Sequence, residues 1–375
     1  MAFIDFSRAF DSVCHSKLLL KLSSYGINGK LYSIIEPFLS NRSQCVVIES
    51  ARSTHCPVIS GVPQGSVLGP LLFIIFINDL PDILSESVIS KCFADDIKLY
   101  TDVTIGDDID ELQFNIDSLA GWADAWQLGL SFLKCSTFYI TFGKGSGSFC
   151  ENSIEGVELS KVQHVKDLGI TFDSCLAFTF HINQIVAKAK QRTFLLFRAF
   201  KSKESDALIQ AYKTYILPIL DYCSAVWSPS LLYNIEALES VQRLFTRRLP
   251  GMKYLSYSNR LASLKLPSLE LRRLRADLVL CYKILHGFVA GPPECYGLTI
   301  MATKTRGHNM KLIKEHVRID ARKHFFSSRI CSPWNSLPDE VVNSTSVSAF
   351  KKCLLDCNLL TFLQQDFDQS LISVC

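Results

Sequence analysis

Residues 88–100 read VISKCFADDIKLY, and the fold turns on how that stretch is taken. Two short apolar-rich segments, 88–94 and 97–100, flank the polar step Asp95-Asp96. This pattern predicts a β-hairpin with both carboxylates at its tip. Aspartate suits turns for backbone reasons alone, so the pair by itself is open between a plain turn and a site. Asp5 supplies the context. Residues 2–6 form a short apolar segment that predicts a strand, with Asp5 near its end. If this strand and the hairpin share one sheet, three carboxylates meet at one edge. Gathered carboxylates are electrostatically costly unless a divalent cation sits among them. Magnesium matches such hard oxygens and leaves room for substrate phosphates.

Outward from the hairpin, residues 61–65 (GVPQG) cannot be regular structure, and Ser66 can cap a helix running through LGPLLFIIFI to a stop at 79–81. Residues 12–25 carry leucines at helical spacing, and 107–126 show the 3–4 spacing of an amphipathic helix. Strand-like pieces follow at 137–142, 162–165 and 168–172. From 181 to about 287 the pattern is helical almost throughout, with breaks near Pro218, Pro229, Pro250 and Pro267. After Gly291-Pro292-Pro293 the chain changes character again.

The 375 residues predict two or three domains. With 48% hydrophobic and 20% charged residues, the chain is not of the disordered class. The longest apolar run, 67–77, falls short of the roughly 20 residues of a membrane span. No secretory signal is visible at the start, so an intracellular protein, in nucleus or cytoplasm, is expected. The 14 cysteines are scattered and include no CxxC, which reads as reduced core residues rather than a disulfide or zinc framework. The net charge of +3 hides an uneven distribution: residues 186–283 hold 17 Lys and Arg against 7 Asp and Glu. There Arg243, Arg247, Arg248, Arg272 and Arg273 are interleaved with aromatic residues, as a nucleic-acid surface would be. Solvated faces of amphipathic helices are the alternative.

Five segments occur in a telling order: DFSRAFDSV at 5–13, GVPQGSVLGPLLFIIFINDLP at 61–81, FADDIKLY at 93–100, WQLGLSFLKC at 126–135 and VKDLGITFD at 165–173. In this order they resemble the palm motifs of reverse transcriptases, specifically those of non-LTR (LINE-type, jockey-like) retrotransposons. LPILDYCSAVW, SVQRLFTRRLPG, TRGHNMKL and WNSLPDEVV extend the resemblance beyond the palm. It implies an α+β right-hand polymerase palm, an antiparallel sheet with helices, over 1–180. An all-helical thumb over 181–289 and a small basic C-terminal region over 290–375 would follow. The chain begins four residues before Asp5, so an N-terminally truncated member, without fingers or endonuclease, is expected.

The resemblance also assigns roles. It implies RNA-directed DNA synthesis on an RNA template and a DNA primer from deoxynucleoside triphosphates, with two magnesium ions. Asp5, Asp95 and Asp96 match the metal-binding triad, and Lys134 matches the proton donor to the leaving pyrophosphate. Phe6, Phe10, Gln64 and Gly65 match nucleotide contacts, with Phe10 as the aromatic gate that rejects a 2′-hydroxyl. The basic helical region becomes a duplex-holding thumb. A catalytically silent remnant that only binds nucleic acid is the rival reading. An intron-type enzyme with a maturase role is a third, against which the thumb segments argue.

Overall fold

The computed structural model describes residues 1–102, 108–141, 151–201, 204–302, 307–365 and 367. Asp107, Phe142, Thr305 and Arg306, which belong to segments singled out above, lie outside them. The chain divides into two compact units, Met1–His164 and Val165–Cys375.

The first unit begins with β1 (Ala2–Ile4), α1 (Ala9–Ser12), α2 (His15–Ser24) and α3 (Lys30–Leu39), followed by β2 (Arg42–Gln44), β3 (Val47–Ile48), β4 (Ala51–Arg52) and β5 (Cys56–Val58). Next come α4 (Leu68–Ile77), β6 (Ile89–Phe93), β7 (Asp96–Tyr100), α5 (Asp108–Trp126), β8 (Ser136–Phe138), β9 (Ser153–Ile154), β10 (Val157–Glu158) and β11 (Ser160–Val162). Its main sheet has the order β11-β8-β1-β7-β6, with β1 antiparallel to both neighbours. The β11–β8 pair is parallel, so the sheet is mixed at that edge rather than antiparallel throughout. On β1 and β7 the residues alternate: Ala2, Ile4, Ile97 and Leu99 are buried in the core that also takes Leu72, Phe73 and Phe76 of α4 and Ile116 and Leu119 of α5. The opposite face, with Phe3, Asp5, Asp96 and Lys98, is left more open.

Two expectations shift by a residue or two. The hairpin loop is Ala94-Asp95, because Phe93 pairs with Asp96; Ala94 takes the positive φ of 51°, and Asp96 opens β7. The helix expected over 12–25 is interrupted between α1 and α2, where Val13 is extended and its carbonyl accepts from Gly61 N–H at 2.8 Å. Long-range pairing with the 60–65 loop has overridden local helical spacing there. Ser66 does act at the start of α4: its Oγ accepts from Gly69 N–H at 3.0 Å and donates to the Pro63 carbonyl. Lys21 is buried beneath Trp126, its Nζ 3.7 Å from the ring centroid, and pairs with Asp79. Cation–π attraction and the ion pair offset its desolvation.

The second unit opens with the hairpin β12 (His164–Asp167) and β13 (Ile170–Asp173). Leu168 and Gly169, with φ of 43° and 87°, form its two-residue loop. Helices follow in succession: α6 (Thr179–Ala199), α7 (Ser205–Tyr215), α8 (Leu217–Asp221), α9 (Ser224–Trp227), α10 (Leu232–Arg247), α11 (Tyr257–Leu264) and α12 (Leu269–Leu285). The last are α13 (Asp320–Lys323), α14 (Phe326–Asn335), α15 (Asp339–Val342) and α16 (Val347–Cys353). The unit contains two main apolar clusters, one on α6, α7, α8 and α10 and one joining α12 to α14, α15 and α16. Helix α12 serves both, through Leu269 in the first and Leu271, Leu278 and Tyr282 in the second.

Candidate active site

The site is built on the open end of β1. The β1–β7 register pairs Ile4 with Ile97; continued by one residue, it sets Asp5 across from Asp96, on the same face of the sheet. Asp95 lies in the adjoining loop. Asp5 is half-buried, and Lys134 neutralises it through an ion pair from Nζ to Oδ1 at 3.1 Å. Its backbone is locked as well: Ser131 N–H donates to the Asp5 carbonyl at 2.8 Å, and Asp5 N–H donates to Cys135 Sγ at 3.4 Å. Burial pushes the Cys135 thiol up, so it stays protonated. Lys134 and Asp5, 129 residues apart in sequence, are thereby brought together by the 129–135 segment crossing the end of β1.

Hard carboxylate oxygens at one sheet edge are the donor chemistry that suits magnesium. Among the described residues, however, no group of three or more His, Cys, Asp or Glu side chains is gathered with metal-binding geometry. By residue type Asp5, Asp95 and Asp96 would suit such an ion; in the structure the Asp5 carboxylate is paired with Lys134.

The 60–65 loop sits directly on α1. Gly61 N–H donates to the Val13 carbonyl and Val62 N–H to the Phe10 carbonyl, both at 2.8 Å. Gly61 has φ of +88°, and a Cβ there would fall 2.7 Å from the Asp11 carbonyl oxygen, so only glycine permits this approach. Gln64 is exposed, and its Nε2 donates to Asp11 Oδ1 at 2.8 Å. Gly65 is exposed with φ of +80° and open space where a Cβ would be. Phe10 is half-buried, its ring stacked on Phe73 at 4.3 Å between centroids. Phe6 is different from its sequence assignment. It is 2% exposed, packs against Trp122 in the core and bridges by its backbone to Leu130. An apolar ring directed inward by strand alternation has no face to offer a nucleotide.

In the second unit, the five candidate arginines separate. Arg247 and Arg248 are exposed, Arg248 lying over Phe194 and Phe197. Arg243 pairs with Glu236 at 3.0 Å and lies over Tyr257 and Phe367. Arg272 is ion-paired with Asp221. Arg273 is buried, 3% exposed, in a polar interior that includes Glu239 and Asp277, so its guanidinium is not available to a phosphate backbone. Its place on the inner face of α12 could not be told from charge counting.

Sequence reasoning missed Asp11 and Tyr222. Asp11 stands six residues after Asp5 in DFSRAFD, a repeat of the acidic residue that could have flagged it. Tyr222 donates from its hydroxyl to the Leu168 carbonyl at 3.0 Å, and its ring carbon Cε1 lies 3.4 Å from where a Cβ on Gly169 would stand, so it steadies the β12–β13 loop.

The acidic strand end, the adjoining acidic hairpin, the glycine-rich loop and the pairing lysine all lie in the first unit, the part of the chain to which the sequence comparisons assign a family. The family described as reverse transcriptase (RNA-dependent DNA polymerase) matches residues 1–172. Residues 1–172 belong to the reverse transcriptase family, a family of nucleotidyltransferases.

More particularly, the chain is similar to the RNA-directed DNA polymerase from mobile element jockey of Drosophila melanogaster, 31% identical over 262 residues, covering 67% of this chain and 28% of that protein. The jockey polymerase of Drosophila funebris is also 31% identical, over 261 residues, 66% of this chain and 28% of that protein. The probable RNA-directed DNA polymerase from transposon X-element of Drosophila melanogaster is 28% identical over 261 residues, 67% of this chain and 28% of that protein. The chain spans under a third of the length of these relatives. They are polymerases of non-LTR elements, the branch the sequence motifs resemble.

Proposed function

We propose that this chain carries out RNA-directed DNA synthesis for a non-LTR retroelement, adding deoxynucleotides to a DNA 3′ end on an RNA template. The observation that carries this reading is the β1–β7 register, which supports placing Asp5 and Asp96 at one sheet edge with Asp95 beside them. In this reading Asp5, Asp95 and Asp96 hold two magnesium ions, which when bound supply charge neutralisation at the hydroxyl and pyrophosphate oxygens. Lys134 holds a proton at Nζ within reach of that centre and releases it to the leaving group. Phe10, steadied by Phe73, excludes a 2′-hydroxyl by shape. Gln64 and Gly65 border the incoming nucleotide, and the glycine lets the backbone approach closely.

Residues 1–180 act as palm, 181–289 as a thumb holding the duplex, and 290–375 as a basic C-terminal region. Of the five candidate arginines, Arg247 and Arg248 are the exposed ones. Among the described residues no helix is long and apolar enough to cross a membrane.

The test is primer extension by the 375-residue chain on an RNA template annealed to a DNA primer, with magnesium. Asp95→Asn is expected to abolish product while leaving duplex affinity within about twofold, because it removes a metal ligand and no phosphate contact. Equal loss of synthesis and binding in a folded variant would sink the assignment. Absence of synthesis by the parent, with the duplex still bound, would leave the nucleic-acid-holding remnant as the function.

A further inference from the structure

We propose that Asp11 is a positioning residue that sets the side-chain amide of Gln64 at the nucleotide site. The inference rests on the polymerase reading above and goes beyond it by adding a residue to which that reading gives no role. Gln64 Nε2 donates to Asp11 Oδ1 at 2.8 Å. A carboxylate only accepts hydrogen bonds, so the amide cannot be flipped while the bond holds: Nε2 faces Asp11, and Oε1 remains as the acceptor. An amide free to flip would present donor and acceptor alternately to a substrate.

Asp11 is itself held fast. Its carbonyl accepts from Ser60 Oγ at 2.9 Å, and Gly61 approaches its backbone so closely that no side chain fits between them. His15 closes the same loop through a hydrogen bond of 2.7 Å between its Nε2 and the Gly61 carbonyl. Asp11, Gln64, Gly61, Arg8 and Arg42 line one cleft of about 670 Å³ in the first unit. Phe10 is the residue before Asp11, and its carbonyl is bonded to Val62 of the same loop. Asp11 therefore registers the side-chain amide of Gln64 against one rigid seat. The contact is exposed to water in the open cleft, where it competes with hydration. Once a nucleotide covers it, the charge-assisted bond strengthens.

The test measures kcat and KM for a single deoxynucleotide addition by the full chain, in four variants: Asp11→Leu, Asp11→Asn, Gln64→Ala, and Asp11→Leu with Gln64→Ala. Asp11→Leu, which removes the acceptor, is expected to raise the nucleotide KM about tenfold, the size of one charge-assisted hydrogen bond, while changing kcat by less than about threefold. Asp11→Asn keeps an acceptor but adds an amide donor, so the Gln64 amide can flip, and its KM is expected to fall between those of the parent and Asp11→Leu. The double variant is expected to be no worse than Gln64→Ala alone, since Asp11 acts through Gln64. Additive losses, or an Asp11→Asn indistinguishable from the parent, would overturn the proposal. If the parent binds duplex but does not turn over, the same four variants are compared by nucleotide-dependent retention of a chain-terminated primer, with the same pattern required. A parent that neither extends nor retains the primer removes the polymerase reading and this inference with it. A working parent with additive variants removes this inference alone.

Discussion

His181 shows how a single buried ring makes the second unit sensitive to acid. It is 4% exposed, and its Nδ1 accepts from Thr171 N–H at 3.2 Å, a bond that an imidazolium, having no acceptor nitrogen, cannot make. Burial holds its pKa below the ordinary value of 6.5. Above about pH 6.5 the ring is neutral in both folded and unfolded chains and adds no pH dependence. Below that, the unfolded chain binds a proton that the folded one refuses, so stability falls as pH drops toward the folded pKa. His181→Gln is expected to flatten the pH dependence of urea unfolding below pH 6.5 by up to about 1.4 kcal/mol per pH unit. An unchanged slope would show that the ring titrates freely. At the same scale, Asp5 and Lys134 were both legible as chemistry-bearing residues. Their ion pair was not, because nothing in the sequence reports that a segment 129 positions away crosses the strand end.

Among elements, the seat of the 60–65 loop on α1 decides the local geometry of the site. The prediction is a contrast between two glycines with similar positive φ. Gly61→Ala adds a clash 2.7 Å from the Asp11 carbonyl to its backbone strain, whereas Gly65→Ala meets nothing within 4 Å. Positive φ costs a non-glycine residue about 1–3 kcal/mol, and Gly61→Ala is expected to exceed that while Gly65→Ala stays inside it. Urea midpoints of the first unit would check this, and equal losses would argue against the seat. The glycines themselves were readable as loop residues. Which of them is crowded was not, since the crowding atom comes from a segment fifty positions earlier. The acidic hairpin behaved similarly. Its existence followed from two apolar runs around a polar step, but its loop fell one residue early because Ile97 and Leu99 are buried and fix the alternation.

For the whole molecule, the distribution of arginines governs how nucleic acid would be held. Arg247 and Arg248 are exposed, and burial together with the charges of Arg247 and Arg243 lowers the proton affinity of buried Arg260, with Tyr257 opposing. Replacing Arg247 and Arg248 together by alanine is expected to reduce the salt slope of duplex binding by about 2, near 0.9 per phosphate contact. Arg273→Ala is expected to leave that slope unchanged and instead to lower stability, because it strips a buried counter-charge from Glu239 and Asp277. Duplex affinities across a salt series, with urea unfolding of each variant, would separate the two. A salt slope altered by Arg273→Ala would contradict its burial. By itself the sequence determined the motif order, the hairpin, the capped apolar helix, the helical second half and the carboxylates at stake, since each is written in local spacing, turn chemistry or residue type. The tertiary structure alone decided that Phe6 faces the core, that Arg273 is buried while Arg247 is open, and that Gln64 is tied to Asp11. Those outcomes depend on which distant segment packs against a residue, and periodicity along the chain carries no information about that partner.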